Sequence, residues 1–435
     1  MTDLVVSTNI LTSAWLMGWL VRCVLNLGEQ RRRSASFVLI LFCLLYGIPI
    51  GLDLAIGIPE YVLTPGLRAG VNDESTVLIY NWFVSLFPII LWYSSMANPR
   101  GSAGFKAFEV GTLRWPLCIL LVSPLPVALL SPKLEMYLVY GAIIQESTTS
   151  AAYEHHGFVA MACILSMLSG AALLLVNERL ARTLILTLPF TMISIWLQGK
   201  RSSVALFLIL IWFVGWARGL IRARTLWLHV SVSVLLFSTY IAWYQNTFRP
   251  SAVLDGYTTY ENSRIDYGRD HHLKAALFSE MPSNEPRILD DRGQSILFSL
   301  AMFVPRSQWP DKPLPYAIYM TGFALQSFQA NRGWGLTTSI LDESVANFGW
   351  FGLIIGPSLL IALCRLCDQS CDLIVKLLGT LIACLFLCVE FVAFAPIFFA
   401  WILYWRWSRQ MEKRTSTSPH HQQRLEPHIE GIAWT

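Results

Sequence analysis

The sequence predicts an all-α, polytopic membrane protein with one large external loop. Three observations carry this. Charged residues make up only 14% of the 435-residue chain, against about 25% in a soluble globular domain. Hydrophobic residues reach 54%, and the mean hydropathy is +0.51. Apolar stretches also recur at lengths close to the roughly 20 residues that a bilayer-spanning helix needs.

In chain order these stretches are 4–27, 35–57, 76–97, 114–131, 157–176, 181–198, 203–219, 226–244 and 350–364. A last stretch, 372–407, is too long for one span and reads as two short helices joined near Glu390. That gives eleven helices. The expected division is 1–244 for helices one to eight, 245–349 for the external loop, 350–407 for helices nine to eleven, and a polar, disordered cytoplasmic tail at 408–435.

Charge sets the expected orientation. Arg31–Arg33, Arg100, Lys106 and Arg114, Arg179 and Arg182, Arg218, Arg222 and Arg224, and Arg365 follow alternate helices. Arg406, Arg409, Lys413 and Arg414 follow the last. Cytoplasmic connections carry the excess of Lys and Arg, so all of these are placed inside. An odd helix count then puts the N-terminus outside and the C-terminus inside. The start, Met1-Thr2-Asp3-Leu4, lacks the positive region of a cleavable signal, so the first apolar segment is expected to stay as a helix.

The composition excludes a disordered chain, a disulfide-stapled secreted domain and an ordinary cytosolic enzyme. No basic run with interleaved aromatics points to nucleic acid. The nine cysteines fall in helices or at expected cytoplasmic ends, away from outside loops where disulfides would form. Cys364, Cys367 and Cys371 lack a second ligand pair, and His420-His421 stands alone, so no metal or other cofactor is expected.

The unusual residues lie outside. The 245–349 loop holds nine Lys/Arg and eleven Asp/Glu, so individual cations in apolar settings matter more than bulk charge. Gln294–Val304 is apolar but too short to span, which suggests a re-entrant or interfacial helix. It runs into Pro305-Arg306-Ser307-Gln308-Trp309-Pro310-Asp311-Lys312-Pro313. Three prolines impose a non-helical path and hold Arg306 and Lys312 at the membrane surface. These cations are either interfacial anchors beside Trp309 or a grip on an anion.

Gln198-Gly199-Lys200-Arg201-Ser202-Ser203 is a short outside turn with two adjacent cations that the charge rule disfavours there. A bound anion or an acidic partner such as Glu343 would offset the cost. The cluster Arg264 to His272 alternates in sign and includes Arg269, Asp270 and His271, while Arg249 follows the eighth helix. It reads either as solvated salt bridges or as a reactive group. Arg332-Gly-Trp-Gly precedes a segment in which Ser339 would cap a helix and Glu343 would lie one turn in. A carboxylate at that mouth is either a favourable helix-start acid or a functional group.

Together these motifs resemble the Wzy-type oligosaccharide repeat-unit polymerases of bacterial O-antigen and related surface polysaccharides. The resemblance rests on Gly-Lys-Arg-Ser at 199–202, Arg-Asp at 269–270, Val-Pro-Arg-x-x-Trp-Pro-Asp-Lys-Pro at 304–313 and Thr-Thr-Ser-x-x-x-Glu-x-x-x-Asn-Phe-Gly at 337–349. About 150 residues carry it; elsewhere it is a likeness of hydropathy. It implies a GT-C-like glycosyltransferase of the bacterial inner membrane. Such an enzyme moves a growing glycan from undecaprenyl diphosphate onto the next lipid-linked repeat unit, and a polysaccharide chain-length regulator is an open partner.

The residue types suit that chemistry. A diphosphate leaving group needs cations, not a general acid, and Arg201, Arg306, Lys312, Arg269, Arg249 and Arg332 are of that kind. The acceptor hydroxyl needs a base, for which Glu343, Asp270 and His271 are the candidates. A ligase using the same lipid donor and a transporter or flippase for lipid-linked sugar are the alternatives. Charges gathered in one loop, not spread through helix interiors, argue against a transporter.

The orientation has a direct test. Cysteines introduced by Ser251→Cys and Ser418→Cys should label from opposite sides, with position 251 external. Labelling of both from one side would overturn the eleven-helix scheme.

Overall fold

The computed structural model describes residues 2–26, 33–96, 114–142, 151–177, 179–199, 201–220, 223–248, 256–281, 287–302, 304, 308–327, 335–370 and 372–416. The described residues form helices joined by turns and contain no strand. The first helices are α1 (Asp3–Asn26), α2 (Ser34–Ile56), α3 (Pro65–Asn72), α4 (Glu74–Ser94) and α5 (Arg114–Leu129). Next come α6 (Ala151–Val176), α7 (Leu180–Gln198), α8 (Arg201–Ala217) and α9 (Ala223–Phe248). The 245–349 segment contributes α10 (Gly256–Tyr267), α11 (Asp270–Ser279), α12 (Gln294–Leu300), α13 (Tyr316–Leu325) and α14 (Ile340–Phe348). The last are α15 (Gly352–Gln369), α16 (Leu373–Cys388) and α17 (Ala395–Ser416).

The ten expected apolar stretches are helical where described, and among the described residues six helical segments are both long and apolar enough to cross a membrane. They are Asp3–Asn26, Ser34–Ile56, Glu74–Ser94, His155–Val176, Leu180–Gln198 and Ile340–Gln369. Helices suit such a setting because they satisfy their backbone groups internally. These six make the chain a candidate multi-pass membrane protein.

The differences from expectation have local causes. The 114–131 stretch is bent at Ser123, where Pro124 opens a second short helix. The ninth expected span, 350–364, corresponds to α15 (Gly352–Gln369); α14 precedes it across a turn at Gly349, φ 61°, and packs back against it, the Ser344 hydroxyl donating to the Gly352 carbonyl at 2.9 Å. The 372–407 stretch breaks at 389–394, beside Glu390, where Val389 and Glu390 turn extended. The interfacial helix expected over 294–304 ends at Leu300. α17 continues to Ser416, past the expected end at 407, and the rest of the tail lies outside the described residues.

Two irregularities bring the later helices into the earlier bundle. In α2 a π-helical turn covers Cys43–Gly47 just before Pro49. Proline has no N–H, so the Leu45 carbonyl four residues back loses its helical donor. The Arg269 backbone N–H fills it from the start of α11, at 3.1 Å. The second is α3, where Gly66 and Gly70 share a face. A Cβ at Gly70 would lie 2.8 Å from the Ala275 nitrogen of α11, and one at Gly66 would lie 2.2 Å from the Phe323 carbonyl of α13.

α11 packs against α3, α4 and α14, and every residue from Asp270 to Leu277 is buried. Leu273, Ala275, Ala276 and Leu277 belong to the same apolar core as Leu39, Tyr46, Val84 and Leu341. The charged residues of this helix are thus inside the protein.

Gly70→Ala should lower thermal stability in detergent by about 1–3 kcal/mol through overpacking. Gly18→Ala, in α1 with open space around it, should stay within about 1 kcal/mol of the parent. Equal melting points for the two variants would refute the close approach of α3 and α11.

Candidate functional site

Burial of α11 requires its charges to be neutralised in place. Arg264, on α10, does most of this. Its Nη1 and Nη2 donate to Asp270 Oδ1 and Oδ2, both at 2.8 Å. Its Nε and Nη2 also donate to Asp53 Oδ1 and Oδ2 on α2, at 2.9 and 2.8 Å. The Tyr260 hydroxyl donates to Asp53 Oδ1 at 2.6 Å. Lys274, one turn after Asp270, donates to its Oδ2 at 3.1 Å and sits 4.7 Å from the Tyr80 ring centroid. Two carboxylates therefore face two cations, and the group is close to neutral.

This governs Asp270. Burial alone would raise its pKa, but Arg264, then Lys274, outweigh burial and hold the carboxyl well below the usual range. As placed it is a saturated acceptor that fixes two cations. Arg269, next to it, is 5% exposed. Its guanidinium donates to the carbonyls of Gly268 and Asp266, and to that of Cys388 at the end of α16. A cation is favourable at a helix C-terminus. Its role here is to pin α11 against α2 and α16.

His271 and His272 are fully buried, with ring centroids 4.2 Å apart, and Tyr61 lies 5.7 Å from His271. None of the four ring nitrogens has a hydrogen-bond partner, and His271 Nδ1 is 3.7 Å from Asp270 Oδ1. Burial pushes both imidazoles below their ordinary pKa, against the pull of Asp270.

The second part of the site is α14. Ser339 caps it with a capping box closed by Asp342, as the sequence predicts for the cap. The Tyr46 hydroxyl of α2 donates to Ser339 Oγ at 2.7 Å. Glu343 lies one turn in and is 5% exposed. Ser295 Oγ, on α12, donates to Glu343 Oε1 at 2.9 Å, and Asn347 Nδ2 donates to Ser295 Oγ and to the Glu343 carbonyl, both at 2.7 Å. Glu343 Oε2, Asn347 Oδ1 and the Tyr316 hydroxyl are buried without a hydrogen-bond partner. Glu390, at the break before α17, is within electrostatic reach of Glu343, and its Oε2 accepts the Ala317 N–H at 3.1 Å. With one oxygen held and the other vacant, the Glu343 carboxyl can take a further hydrogen bond from a hydroxyl.

Lys312 is buried as well. Its Nζ donates to the Met302 and Val304 carbonyls at 3.1 and 3.0 Å, just after α12, and lies 4.7 Å from the Phe298 ring centroid. It closes the loop onto α12, which carries Ser295.

The structure thus brings Arg269, Asp270 and His271 beside the helix of Glu343, and ties Lys312 to the same region through α12. Arg306, Arg249 and Arg332 lie outside the described residues, as does the side chain of Arg201, whose backbone begins α8. The sequence reading missed Asp53, Lys274, Tyr46, Ser295 and Glu390 as site residues. Asp53, a lone carboxylate inside an apolar stretch, and Lys274, four residues after Asp270, were the available signals. Among the described residues no group of three or more His, Cys, Asp or Glu is arranged to hold a metal.

Two outcomes follow for purified protein. Arg264→Met should cost about 3–5 kcal/mol, because it leaves Asp53 and Asp270 buried without their shared cation; melting or loss of accumulation reads this. The histidines set a pH slope. Their folded pKa values are depressed, so below about 6.5 the unfolded chain takes up protons first and stability falls with acid. Asp270 adds stability that is lost only under much stronger acid, as pH falls through its lowered pKa. Other buried carboxyls titrate in the same window, so the histidine contribution is read as a difference: the parent should lose melting temperature relative to His272→Gln as pH falls below about 6.5. A difference between the two that does not change with pH would contradict a neutral buried imidazole at position 272.

Comparison with known protein families, with curated proteins and with solved structures finds no match for this chain.

Proposed function

We propose that the chain is a polymerase of lipid-linked oligosaccharide repeat units. In this reading it is a GT-C-like enzyme of the bacterial inner membrane with about eleven spans, its N-terminus outside and its C-terminus inside. It transfers the growing glycan from undecaprenyl diphosphate to the next lipid-linked repeat unit on the external face. The observation that supports this best is the adjacency of α11 and α14. Two motifs more than sixty residues apart in sequence, Arg269-Asp270 and Ser339 to Gly349, meet in one buried polar region.

In the proposed reaction a hydroxyl oxygen of the acceptor sugar attacks the anomeric carbon of the donor. The bond from that carbon to the diphosphate oxygen breaks, and undecaprenyl diphosphate leaves with the electron pair. The acceptor proton passes to the vacant Oε2 of Glu343. The leaving diphosphate is a weak base, so neutralisation by cations suffices. Arg306, Arg201, Arg249 and Arg332 are assigned that task, while Arg269 and Lys312 are assigned to hold the helices that frame it.

The decisive experiment is product analysis in a deletion strain: the polysaccharide ladder should be lost and a single repeat retained. A ligase would instead lose all transfer to its acceptor, and a flippase would leave unpolymerised units on the inner face. Arg306→Ala and Arg201→Ala should lower polymer about ten- to a thousandfold while the protein still accumulates, with partial rescue by Lys. Glu343→Gln should stop chemistry and leave donor binding intact. Normal ladders from Glu343→Gln, with a dead Asp270→Asn or His271→Ala, would move the base to α11.

A further inference from the structure

Away from that site, three membrane-length helices present matching ends. α1 ends at Asn26, α2 begins at Ser34 and α4 ends at Ser94, and the three pack together. Trp19 and Arg22 lie in the last turns of α1, Arg33 at the N-cap of α2, and Trp92 in the last turn of α4. The Arg22 Cζ is 5.0 Å from the ring centroids of both Trp19 and Trp92. The Arg33 Cζ is 5.3 Å from the Trp92 centroid, and the two indoles are 5.8 Å apart.

Two guanidinium groups thus share one indole. Stacking on a ring attracts each cation but neutralises neither. Arg33 Nη1 and Trp92 Nε1 are buried without a hydrogen-bond partner, and among the described residues neither arginine has an ion pair. The carboxylate beside the start of α2, Asp368, receives the Ser34 N–H and hydroxyl at 2.9 and 2.8 Å and pairs with Lys376 at 3.4 Å. What the cluster offers is therefore a set of N–H donors with net positive charge, on an aromatic floor, at the end of the apolar helices. We propose that it binds the phosphodiester of an anionic lipid headgroup. A guanidinium fork matches two phosphate oxygens, and an indole N–H can supply a further donor. Basic pockets between helix ends are the expected place for such headgroups. The inference does not depend on the enzymatic reading.

The test uses full-length protein in detergent, examined by native mass spectrometry and tryptophan fluorescence. Phosphatidylglycerol should be retained at least about tenfold more tightly than phosphatidylcholine, and about tenfold less tightly in Arg22→Gln and in Arg33→Gln, the size of one charge-assisted hydrogen bond. Arg22→Lys should keep part of the binding. Inorganic phosphate, as the soluble probe, should give no comparable fluorescence change; an equal change would make the ligand a free anion and overturn the lipid assignment. Equal retention of the two lipids by the parent protein, or unchanged retention in both Gln variants, would also overturn it. Should the Gln variants fail to accumulate, the parent's preference between the two lipids decides. Asp368→Asn completes the set: binding that appears only in this variant would mean that the protein neutralises the cluster itself, and would overturn the assignment.

Discussion

The position of the buried site depends on one arginine shared by two carboxylates. Asp53 belongs to the second long helix and Asp270 to a short helix more than two hundred residues later. Either carboxylate alone would be expensive in an apolar interior, where an unpaired charge is destabilising by several kcal/mol. Arg264 touches both with a planar fork whose donors are fixed in direction, so it defines an angle between the helices as well as a distance. Lysine could satisfy one carboxylate but could not hold the pair in that geometry. The tyrosine on Asp53 and the lysine on Asp270 complete the acceptors and leave little freedom for α10 and α11 to slide.

A second constraint acts through the backbone. Pro49 deprives Leu45 of its helical partner, and the π turn there makes the vacancy available to another segment. Arg269 answers with its N–H toward α2 and with its guanidinium toward the last carbonyl of α16. Helix ends and helix irregularities thereby become joints. The same logic recurs at Lys312, whose ammonium collects the carbonyls just beyond α12, and at Ser339, whose hydroxyl is met by Tyr46. In each case a polar group that the helix cannot satisfy itself determines what packs beside it.

Much of the helical layout was legible because hydropathy and charge report on helices one at a time. The break beside Glu390 was visible as excess length, and the cap at Ser339 as a residue type before an apolar run. The bend at Ser123 was also written in the sequence, as prolines within an apolar stretch, but apolarity alone hides it. What composition could not reveal was that the polar segment around Arg264 to Lys274 would be interior. Alternating charges look the same in solvent and in a neutralised buried network; only the partner on α2, remote in sequence, distinguishes them. Arg269 and Lys312 illustrate the same limit: a cation poised for an anion and a cation bound to carbonyls share one residue letter. Ser295 and Glu390 entered the site through tertiary contact, and no local pattern marked them.

The distance in sequence between Asp53 and Arg264 also bears on how the chain is made. The second helix leaves the ribosome long before α10 exists, and it carries a carboxylate in its last turn; insertion of such a group costs about 2.5–3.5 kcal/mol at a helix centre and less near an end. During that interval the acid must be protonated, remain near an interface, or be shielded by the translocation machinery. The early helices pack on one another directly, but the side of α3 and α4 that receives α11 stays uncovered until that helix arrives. Biogenesis of this protein is therefore a process with a waiting step: a half-assembled bundle, open along the side of α3 and α4, persists until some two hundred further residues have been synthesised, and it is the stage at which quality control would encounter the chain.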